Sequence, residues 1–328
     1  MLNCIGLSAK VRISNGGGSI MHIALVDPSR AVQMALAQML GARGHAVTPF
    51  SCPEAALDRI TQNPCIDGVI TAAEMVPLTG VELCWEVRLL AERQRPIYTL
   101  LMSSHLDERG MIEALDAGAD DIISKPPRSQ ELYARIRVGE RLLSAQRELI
   151  SLATTDPMTG LLNRRAFFQR GGELCSNGTG HLISAILLDV DHFKEINDLY
   201  GHQTGDQTLR EVAQVLKSAG TLVGRLGGDE LCLLGSLRDM GQVLKIAEDL
   251  RSRISDLKVG TRDGHASITC SLGVAQGSGR FGLDSIIRDA DLALYRAKQE
   301  GRNCVATPPS DLKLSSSGGC GIARRRPR

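Results

Sequence analysis

From His22 the chain alternates short, continuous apolar runs with stretches in which apolar residues recur at helical spacing. The first amphipathic stretch passes through Val32, Leu36 and Leu40. Continuous apolar strands separated by helices are typical of a parallel sheet covered on both faces. We therefore predict an α/β domain over residues 21–128, with five parallel strands in flavodoxin-like order and ligands at the strand carboxyl ends. The five apolar runs are residues 23–26, 46–47, 68–70, 97–102 and 121–123.

Residues 129–154 predict one continuous linker helix, because they are rich in Glu, Arg and Leu and contain no proline. Two apolar stripes run along it. A packed amphipathic helix and a coiled coil explain so few heptads about equally well, and either would join two domains. The stripe with coiled-coil spacing contains Val138, Leu142, Ala145, Leu149 and Leu152. The second, less regular stripe contains Leu132, Ile136, Leu143 and Ile150.

A second domain is predicted over residues 155–306. The apolar run 182–188 indicates a central strand that delivers Asp189 at its end, and a helix with Phe193 and Ile196 follows. Asp206 is placed to begin the next helix. Gly227-Gly228 then predicts a hairpin, because only glycine takes positive φ without steric cost. Further along, the pattern predicts helices over 240–257 and 283–298 and a strand over 268–274.

The two ends of the chain have a different composition. Residues 1–20 end in a glycine-rich segment, and residues 307–328 are rich in Pro, Ser and Gly before an arginine-rich end, so both tails are predicted to be disordered. Met21 directly precedes the first strand, which suggests it as an alternative translation start.

Composition narrows the class of protein. A length of 328 residues suggests two domains, and 43% hydrophobic with 23% charged residues is ordinary for a globular protein. A net charge of +1 argues against nucleic-acid binding. Nine cysteines without a C-x-x-C pair favour neither a zinc site nor a disulfide framework, and suit a reducing cytoplasm. We expect a cytoplasmic protein with no membrane span, since neither a spanning apolar run nor a signal peptide is visible.

The predicted hairpin carries the first candidate chemistry. Gly227-Gly228-Asp229-Glu230 lies between apolar runs, and a tip without Cβ atoms lets a phosphate approach the backbone. Taken alone, an ordinary surface hairpin with solvated acids explains these four residues better. Asp189 changes this, because two acids at neighbouring strand ends can hold Mg²⁺ together with a backbone carbonyl and phosphate oxygens.

Other polar residues extend this nucleotide hypothesis. Lys194, one turn into a helix, can reach terminal phosphates, and Lys298 and Arg302 supply further positive charge. Asn197 and Asp206 offer an amide and a carboxylate, and guanine donates N1–H and N2–H₂ to a carboxylate. Each signal is weak singly, since acids after strands usually cap turns.

The first domain resembles a response-regulator receiver. The resemblance rests on residues 23–27, on Met75 with Gly80, and on residues 116–121 with Lys125-Pro126. It implies a phosphate-accepting aspartate eight residues before Gly80, but Ala72 stands there, and Pro28 replaces one of the usual metal-binding acids. Because alanine can be neither nucleophile nor metal ligand, we expect a receiver that cannot be phosphorylated.

Three further positions of the receiver match the family unevenly. Ser103 corresponds to the switch Ser/Thr and Lys125 to the family lysine, whereas Ile122 stands where an aromatic residue is common. The resemblance therefore implies a module for dimerisation, or for docking a protein partner.

The second domain resembles the GGDEF family of diguanylate cyclases. Four segments carry the resemblance in order and at family spacing: 156–165, 189–206, 225–231 and 295–303. It implies an α+β cyclase-type fold with a mainly antiparallel sheet. It also implies a homodimer in which two GTP molecules, one per subunit, condense to cyclic di-GMP and two pyrophosphates.

Site residues follow from that resemblance position by position. Asp189 and the Val190 carbonyl would hold Mg²⁺ or Mn²⁺, with two ions per active site. Asp229 would bind metal and help deprotonate the attacking 3′-hydroxyl, and Glu230 would be a further metal ligand. The resemblance leaves the division of roles between Asp229 and Glu230 open.

The remaining implied roles concern the nucleotide. Gly227 and Gly228 would let the triphosphate pass close to the hairpin. Guanine would be bound by Asn197 and Asp206, with His202 nearby. The phosphates would be bound by Lys194, Lys298, Arg302 and the backbone at His192 and Phe193.

Two departures from the family pattern stand out. Leu231 replaces the final Phe of the signature, a change that loses packing but no chemistry. The family's product-inhibition motif, R-x-x-D, is absent because Ser218 and Thr221 occupy its positions.

Two other functions compete with a cyclase. One is a catalytically inactive GGDEF module that binds GTP or a protein partner, but this would be marked by a lost metal acid or guanine reader, and both sets are present. The other is a receiver-driven docking protein with an incidental cyclase, which the sequence leaves open.

Overall fold

The computed structural model describes residues 20–93, 95–105, 107–177, 182–219, 222–236, 239–261, 264–279 and 282–309. The predicted disordered tails lie outside these ranges, apart from residues 20 and 307–309. The chain divides into two compact units, with the boundary between Ser151 and Leu152. No helix in the described part of the chain is long and apolar enough to cross a membrane.

The first unit has the predicted flavodoxin-like fold. Five parallel strands lie in the order β2-β1-β3-β4-β5. The strands are β1 (His22–Val26), β2 (Ala46–Phe50), β3 (Gly68–Ala72), β4 (Tyr98–Ser103) and β5 (Asp121–Ser124). The helices are α1 (Arg30–Gly41), α2 (Pro53–Gln62), α3 (Gly80–Arg93), α4 (Glu108–Asp116) and α5 (Ser129–Thr154). Every residue of β3 and β4 is buried, as expected of continuous apolar strands covered on both faces.

Helix α5 uses its two apolar stripes differently. Leu132, Ile136 and Leu143, from the less regular stripe, are buried in the core of the first unit. Gly139 lies on the same face, where an added Cβ would collide with the Tyr98 ring. The stripe with coiled-coil spacing lies exposed, with Leu149 65% exposed. The helix is thus a packed amphipathic helix on one side and keeps an unburied stripe on the other.

The second unit is an α+β fold around a mainly antiparallel sheet. Its sheet order is β12-β11-β6-β8-β7, in which only the β11–β12 pair among these strands is parallel. The strands are β6 (Leu182–Val190), β7 (Leu222–Gly227), β8 (Glu230–Gly235), β9 (Lys258–Thr261), β10 (Gly264–Ser267), β11 (Cys270–Ser278) and β12 (Val305–Ala306). The helices are α6 (Arg164–Asn177), α7 (Phe193–Tyr200), α8 (His202–Lys217), α9 (Met240–Ser255) and α10 (Leu283–Gln299).

Strand β6 is central because both of its faces are covered. Ile186, Leu188 and Val190 face one core with α8 and α9, whereas Ala185 and Leu187 face another with α6 and α10. This explains the continuous apolar run in the sequence, since alternate residues of a strand point to opposite faces. Packing on both faces therefore fixes the position of β6, at whose end Asp189 lies.

Three details differ from the sequence prediction. Helix α8 begins at His202, not at Asp206, because Gly201 takes φ +86° directly before it and lets the chain turn into the helix one turn earlier. Asp206 therefore lies inside the helix. The two-stranded β9–β10 sheet and the short β12 were not predicted, since strands of two to four residues leave little periodic signal.

Candidate active site

Three acids converge where β6 meets β8. Asp189, one residue before the end of β6, pairs in register with Glu230 at the start of β8, and Asp229 immediately precedes it. The predicted neighbourhood of the two strands is therefore confirmed. Burial raises the pKa of Asp189, and the charges of Asp229 and Glu230 raise it further, although Lys298 opposes this. The carboxylates are close enough to repel one another.

Lys298, in the last turn of α10, extends its ammonium group to these acids. Its Nζ is 2.8 Å from Oδ2 of Asp189, and the Asp189 side chain is only 10% exposed. The lysine is itself about one-third exposed, so it can also meet a ligand from solvent. Helix α10 therefore brings a positive charge to Asp189 although Lys298 is 109 positions further along the chain.

The hairpin tip is open. Gly228 has φ +46°, which favours glycine, and both Gly227 and Gly228 are exposed. A Cβ built on either glycine would meet no described atom within 4 Å. The space directly over the tip is thus open among the described residues.

The predicted guanine-binding residues lie on two adjoining helices. Asn197 is in α7, and an added Cβ on Gly205 of α8 would come well inside 3.0 Å of its Oδ1. Asp206 follows Gly205 directly and is partly exposed, 3.8 Å from the Arg210 guanidinium. The structure thus places the Asn197 side chain beside Gly205, the residue that precedes Asp206.

The start of α7 has unusual backbone geometry. His192 takes φ +55° and ψ +29°, a left-handed conformation, before the helix begins at Phe193. Its Nδ1 is 2.6 Å from Oε1 of Glu195, which holds the ring beside the first turn. Lys194 and His202 are exposed, and Phe193 is half-buried, so the lysine at this helix N-terminus is open to solvent.

Asp191 is a buried residue that the sequence analysis missed. Its carboxylate accepts hydrogen bonds from the Thr269 hydroxyl, the Ser271 hydroxyl and the Asn303 backbone N–H, at 2.7, 2.7 and 3.0 Å. Arg302, directly before Asn303, has φ +63°. Asp191 therefore ties the loop with Arg302 to the end of β6. The Asp-x-Asp spacing of Asp189 and Asp191 was the sequence signal that could have identified this residue.

These residues fit a divalent cation by their chemistry. No group of three or more His, Cys, Asp or Glu side chains in the described ranges is gathered closely enough to enclose a metal ion. The side chains of Asp189, Asp229 and Glu230 nevertheless offer only oxygen donors, as Mg²⁺ prefers, and Val190 follows Asp189 directly in the chain. Burial is the main cause of the raised pKa of Asp189, and the charges of Asp229 and Glu230, which a cation would offset, add to it. Substrate phosphates would supply the remaining ligands.

The first unit has its own polar cluster at the strand carboxyl ends. Ala72 ends β3 and is fully buried, and Lys125 Nζ lies 2.6 Å from Oδ2 of the buried Asp27. The Ser103 hydroxyl donates to Oε1 of Glu74 at 2.9 Å. Glu74 was not singled out by the sequence analysis, because its role depends on a contact 29 residues away.

The charge of Glu74 is held by its surroundings. Partial burial raises its pKa, but the hydrogen bond from Ser103, backbone hydrogen bonds and the charge of Lys125 outweigh this, so the pKa lies below its ordinary value. The Ser104 N–H also donates to Oε1 at 3.3 Å. The Glu74 carboxylate thus binds the Ser103 hydroxyl directly and feels the charge of Lys125, whose own ion-pair partner is Asp27.

Comparisons with known proteins agree with this geometry. A family model described as "Diguanylate cyclase, GGDEF domain" matches residues 153–304, and one described as "Response regulator receiver domain" matches residues 23–137. Response regulator PleD of Caulobacter vibrioides is 33% identical over 312 residues, which cover 90% of this chain and 67% of PleD. The order of the two domains is the predicted one.

The chain belongs to the GGDEF family and carries a receiver domain in front. Diguanylate cyclase DgcM of Escherichia coli K12 is 30% identical over 279 residues, covering 78% of this chain and 66% of DgcM. The chain spans about two thirds of the length of these two relatives. Among solved structures, the coiled coil and GGDEF domain of DgcB from Caulobacter crescentus, in complex with c-di-GMP, is 33% identical. The match to this DgcB structure covers 53% of the present chain and 96% of the DgcB chain, with a TM-score of 0.48.

Proposed function

We propose that this chain is a diguanylate cyclase that condenses two GTP molecules into cyclic di-GMP and two pyrophosphates. The observation that carries the proposal is the convergence of Asp189, Asp229 and Glu230 at the β6–β8 pair, beside Lys298. Three acids and a lysine at an open glycine hairpin match what a nucleoside triphosphate and divalent metal require.

The metal-binding group would be formed by Asp189, the Val190 carbonyl, Asp229 and Glu230, holding two Mg²⁺ or Mn²⁺ ions per site. When bound, the metal offsets charge on the triphosphate and polarises the phosphoryl oxygens. Asp189 lies on a strand that is covered on both faces, whereas Asp229 lies at an exposed glycine tip. The position of Asp229 is therefore the more adjustable of the two.

Different residues of the chain would accept the proton and bind the phosphates. The 3′-hydroxyl of one GTP transfers its proton to Asp229 as its oxygen bonds to the α-phosphorus of the other GTP. The bond from that phosphorus to the bridging oxygen breaks, and pyrophosphate leaves. Lys194, Lys298 and Arg302 bind the phosphates. Lys298, which is paired with Asp189 in the free protein, must partly exchange that carboxylate for a phosphate.

Base recognition falls to α7 and α8. The Asp206 carboxylate would accept from guanine N1–H and N2–H₂, and the Asn197 amide would bind a neighbouring edge of the base, with His202 nearby. Hydrogen-bonding sites of this kind reject analogues that leave buried polar groups unpaired. Guanine selectivity would therefore depend on how firmly Asn197 is held against Gly205.

The reaction requires two copies of the chain, because each site holds only half of the substrate. We assign dimerisation, or docking of a protein partner, to the receiver and to the exposed stripe of α5 that includes Leu142 and Leu149. Ala72 removes the phosphate acceptor, and Glu74 already engages Ser103. The receiver would then act by bringing subunits together rather than by being phosphorylated.

Incubation of the purified protein with GTP and Mg²⁺, followed by chromatography of the product, tests the proposal. Cyclic di-GMP should form with the wild-type chain and be lost in Asp229→Asn, which removes a charge from an exposed hairpin and leaves the core unchanged. Asp291→Asn, an exposed acid on α10, is the matched control and should be active. Near wild-type activity in Asp229→Asn would refute the catalytic assignment. GTP binding without product would instead favour the inactive GTP-binding module.

A further inference from the structure

We propose that Arg225 is a positioning residue for Asp229, and that Asp156 links the end of α5 to the active site through Arg225. The inference rests on the proposed cyclase function and adds a route of regulation to the same site. The guanidinium of Arg225 lies between two acceptors. Its Nε and Nη2 donate to the Gly228 carbonyl at 2.9 and 2.7 Å, and its Nη1 lies 3.2 and 3.1 Å from the two carboxylate oxygens of Asp156.

The first step concerns the hairpin tip. The β7–β8 register shifts between Arg225 and Gly227, and beyond the shift only the Gly227–Glu230 pair belongs to the ladder before the turn. The two glycines offer no side chain that could pack. The fork of Arg225 on the Gly228 carbonyl therefore fixes the peptide that leads into Asp229, the acid assigned to deprotonate the 3′-hydroxyl.

The second step concerns what fixes Arg225. Asp156 Oδ1 also accepts from the backbone N–H and the hydroxyl of Thr159, at 2.8 and 2.7 Å, so the carboxylate is oriented before it meets the arginine. Burial raises the pKa of Asp156, but these bonds and Arg225 outweigh it, and the pKa lies below its ordinary value. Both side chains are less than 20% exposed, so solvent screens the pair little.

The third step connects this pair to α5. The Asn163 N–H donates to the Thr154 carbonyl and its side-chain amide donates to the Ala153 carbonyl, both at 2.9 Å. Leu162 joins the same segment to β7, because its carbonyl accepts from the Arg225 N–H at 2.8 Å. The last turn of α5, the turn that contains Asp156 and the base of the hairpin thus share one hydrogen-bonded unit.

The consequence is a mechanical path from α5 to the metal acid. A shift of the last turn of α5 would carry the 156–163 segment with it, and Arg225 would transmit the shift to the Gly228 carbonyl. A displacement of the reacting group by about 1 Å can change a rate by about 100-fold. The position of Asp229, and with it the affinity for metal, would then depend on the state of α5.

Full-length Arg225→Lys is the main test variant. Lysine keeps a charge for Asp156 but cannot donate a planar fork to the Gly228 carbonyl. We expect kcat to fall about 10- to 100-fold and the Mg²⁺ concentration for half-maximal activity to rise about tenfold, with a smaller change in KM for GTP. Arg253→Lys, which alters a surface pair with Asp249, is the matched control and should change none of these values.

Asp156→Asn is the second test variant. It tests the proposal even if Arg225→Lys fails to fold. In this variant Arg225 keeps its hydrogen bonds to the Gly228 carbonyl but loses its ion pair with the Asp156 carboxylate. We therefore expect a smaller rise, about threefold, in the Mg²⁺ concentration for half-maximal activity. Thermal unfolding of each variant is measured alongside. If both variants bind Mg²⁺ as the wild type does and only unfold at lower temperature, the ion pair is purely structural and the inference is wrong.

A binding measurement separates this inference from the proposed function. Mn²⁺ binding in the presence of a non-hydrolysable GTP analogue, followed by electron paramagnetic resonance, requires no turnover. Weaker Mn²⁺ binding in Arg225→Lys than in Arg253→Lys supports the positioning role even if the wild type forms no cyclic di-GMP. Equal Mn²⁺ binding in these two variants overturns it, whether or not the wild-type chain is active.

Discussion

A missing Cβ at Gly205 decides where the Asn197 amide can lie. In Gly205→Ala the new Cβ would come well inside 3.0 Å of the Asn197 side chain, so the amide must move away. We expect KM for GTP to rise about tenfold, because the loss of one hydrogen bond to the base costs about 1 kcal/mol. Steady-state kinetics with GTP measure the effect.

Gly172→Ala provides the control for this substitution. Gly172 also lies in a helix, α6, but an added Cβ there meets no described atom within 4 Å. It should leave KM unchanged and raise stability by about 0.5–1 kcal/mol, since alanine favours the helix. An unchanged KM in Gly205→Ala would show that Asn197 does not bind the base.

Ser218 leads to a second prediction, that cyclic di-GMP inhibits this chain poorly. The family's inhibitory site uses an arginine and an aspartate, which bind guanine by charge-assisted hydrogen bonds, and Ser218 and Thr221 carry no charge. The Ser218 hydroxyl is already used, donating to the Val215 carbonyl at 2.6 Å and accepting from Arg253 at 2.9 Å. Progress curves with and without a phosphodiesterase should therefore coincide. An early stall that the phosphodiesterase relieves would show that other residues bind the product.

The residue types of the site could be predicted from sequence, but the contacts that orient them could not. Asp189 and Asp229 were predictable because strand ends and glycine hairpins leave a local pattern. Asp191 and Glu74 were missed because their partners, Asn303 and Ser103, are 112 and 29 positions away. A buried acid acquires its role from such distant donors, and no local periodicity records them.

Helix α5 illustrates the same limit at the scale of an element. Its length could be predicted closely, since apolar residues recur from 132 to 152 and no proline interrupts them. Which stripe is buried could not be predicted, because it depends on the sheet that the helix meets. Leu132, Ile136 and Leu143 of the less regular stripe pack in the receiver core, whereas its last member, Ile150, and the stripe with coiled-coil spacing are exposed.

Neighbouring leucines on α5 should therefore respond differently to the same substitution. Leu143 is 1% exposed in the receiver core, so Leu143→Ala should lower the free energy of unfolding by about 2–5 kcal/mol. Leu142 is 37% exposed on the other stripe, so Leu142→Ala should cost little stability but weaken dimerisation. Denaturant titration and analytical ultracentrifugation measure the two effects. Equal loss of stability in both variants would contradict this division of the helix.

For the whole molecule, the sequence already separates the receiver from the GGDEF domain, because a long helix lies between them and a new motif opens at Asp156. The receiver resemblance also implies that Ala72 stands in place of the phosphate acceptor. What it leaves unexplained is why Ser103 and Lys125 remain. Both have partners within the first unit: Lys125 with Asp27, and Ser103 with Glu74. These side chains therefore have a structural use that does not depend on phosphorylation.

The receiver should accordingly be insensitive to phosphodonors. Ala72 offers neither a nucleophile nor a metal ligand, and Pro28 removes another ligand, so a phosphoryl analogue would lack both its attachment and its cation. Acetyl phosphate or beryllofluoride with Mg²⁺ should leave both cyclic di-GMP formation and the oligomeric state unchanged.

The fluorescence of Trp85 gives an independent readout of the same prediction. It is the chain's single tryptophan, and it lies half-exposed on α3 of the receiver. Its emission should not change when beryllofluoride and Mg²⁺ are added, whereas urea should change it by unfolding the unit. Ala72→Asp restores only the carboxylate, and because Pro28 still withholds an acid and Glu74 still holds Ser103, we expect at most a weak response there. A saturable fluorescence change or stimulation of the wild-type cyclase by either reagent would refute the prediction.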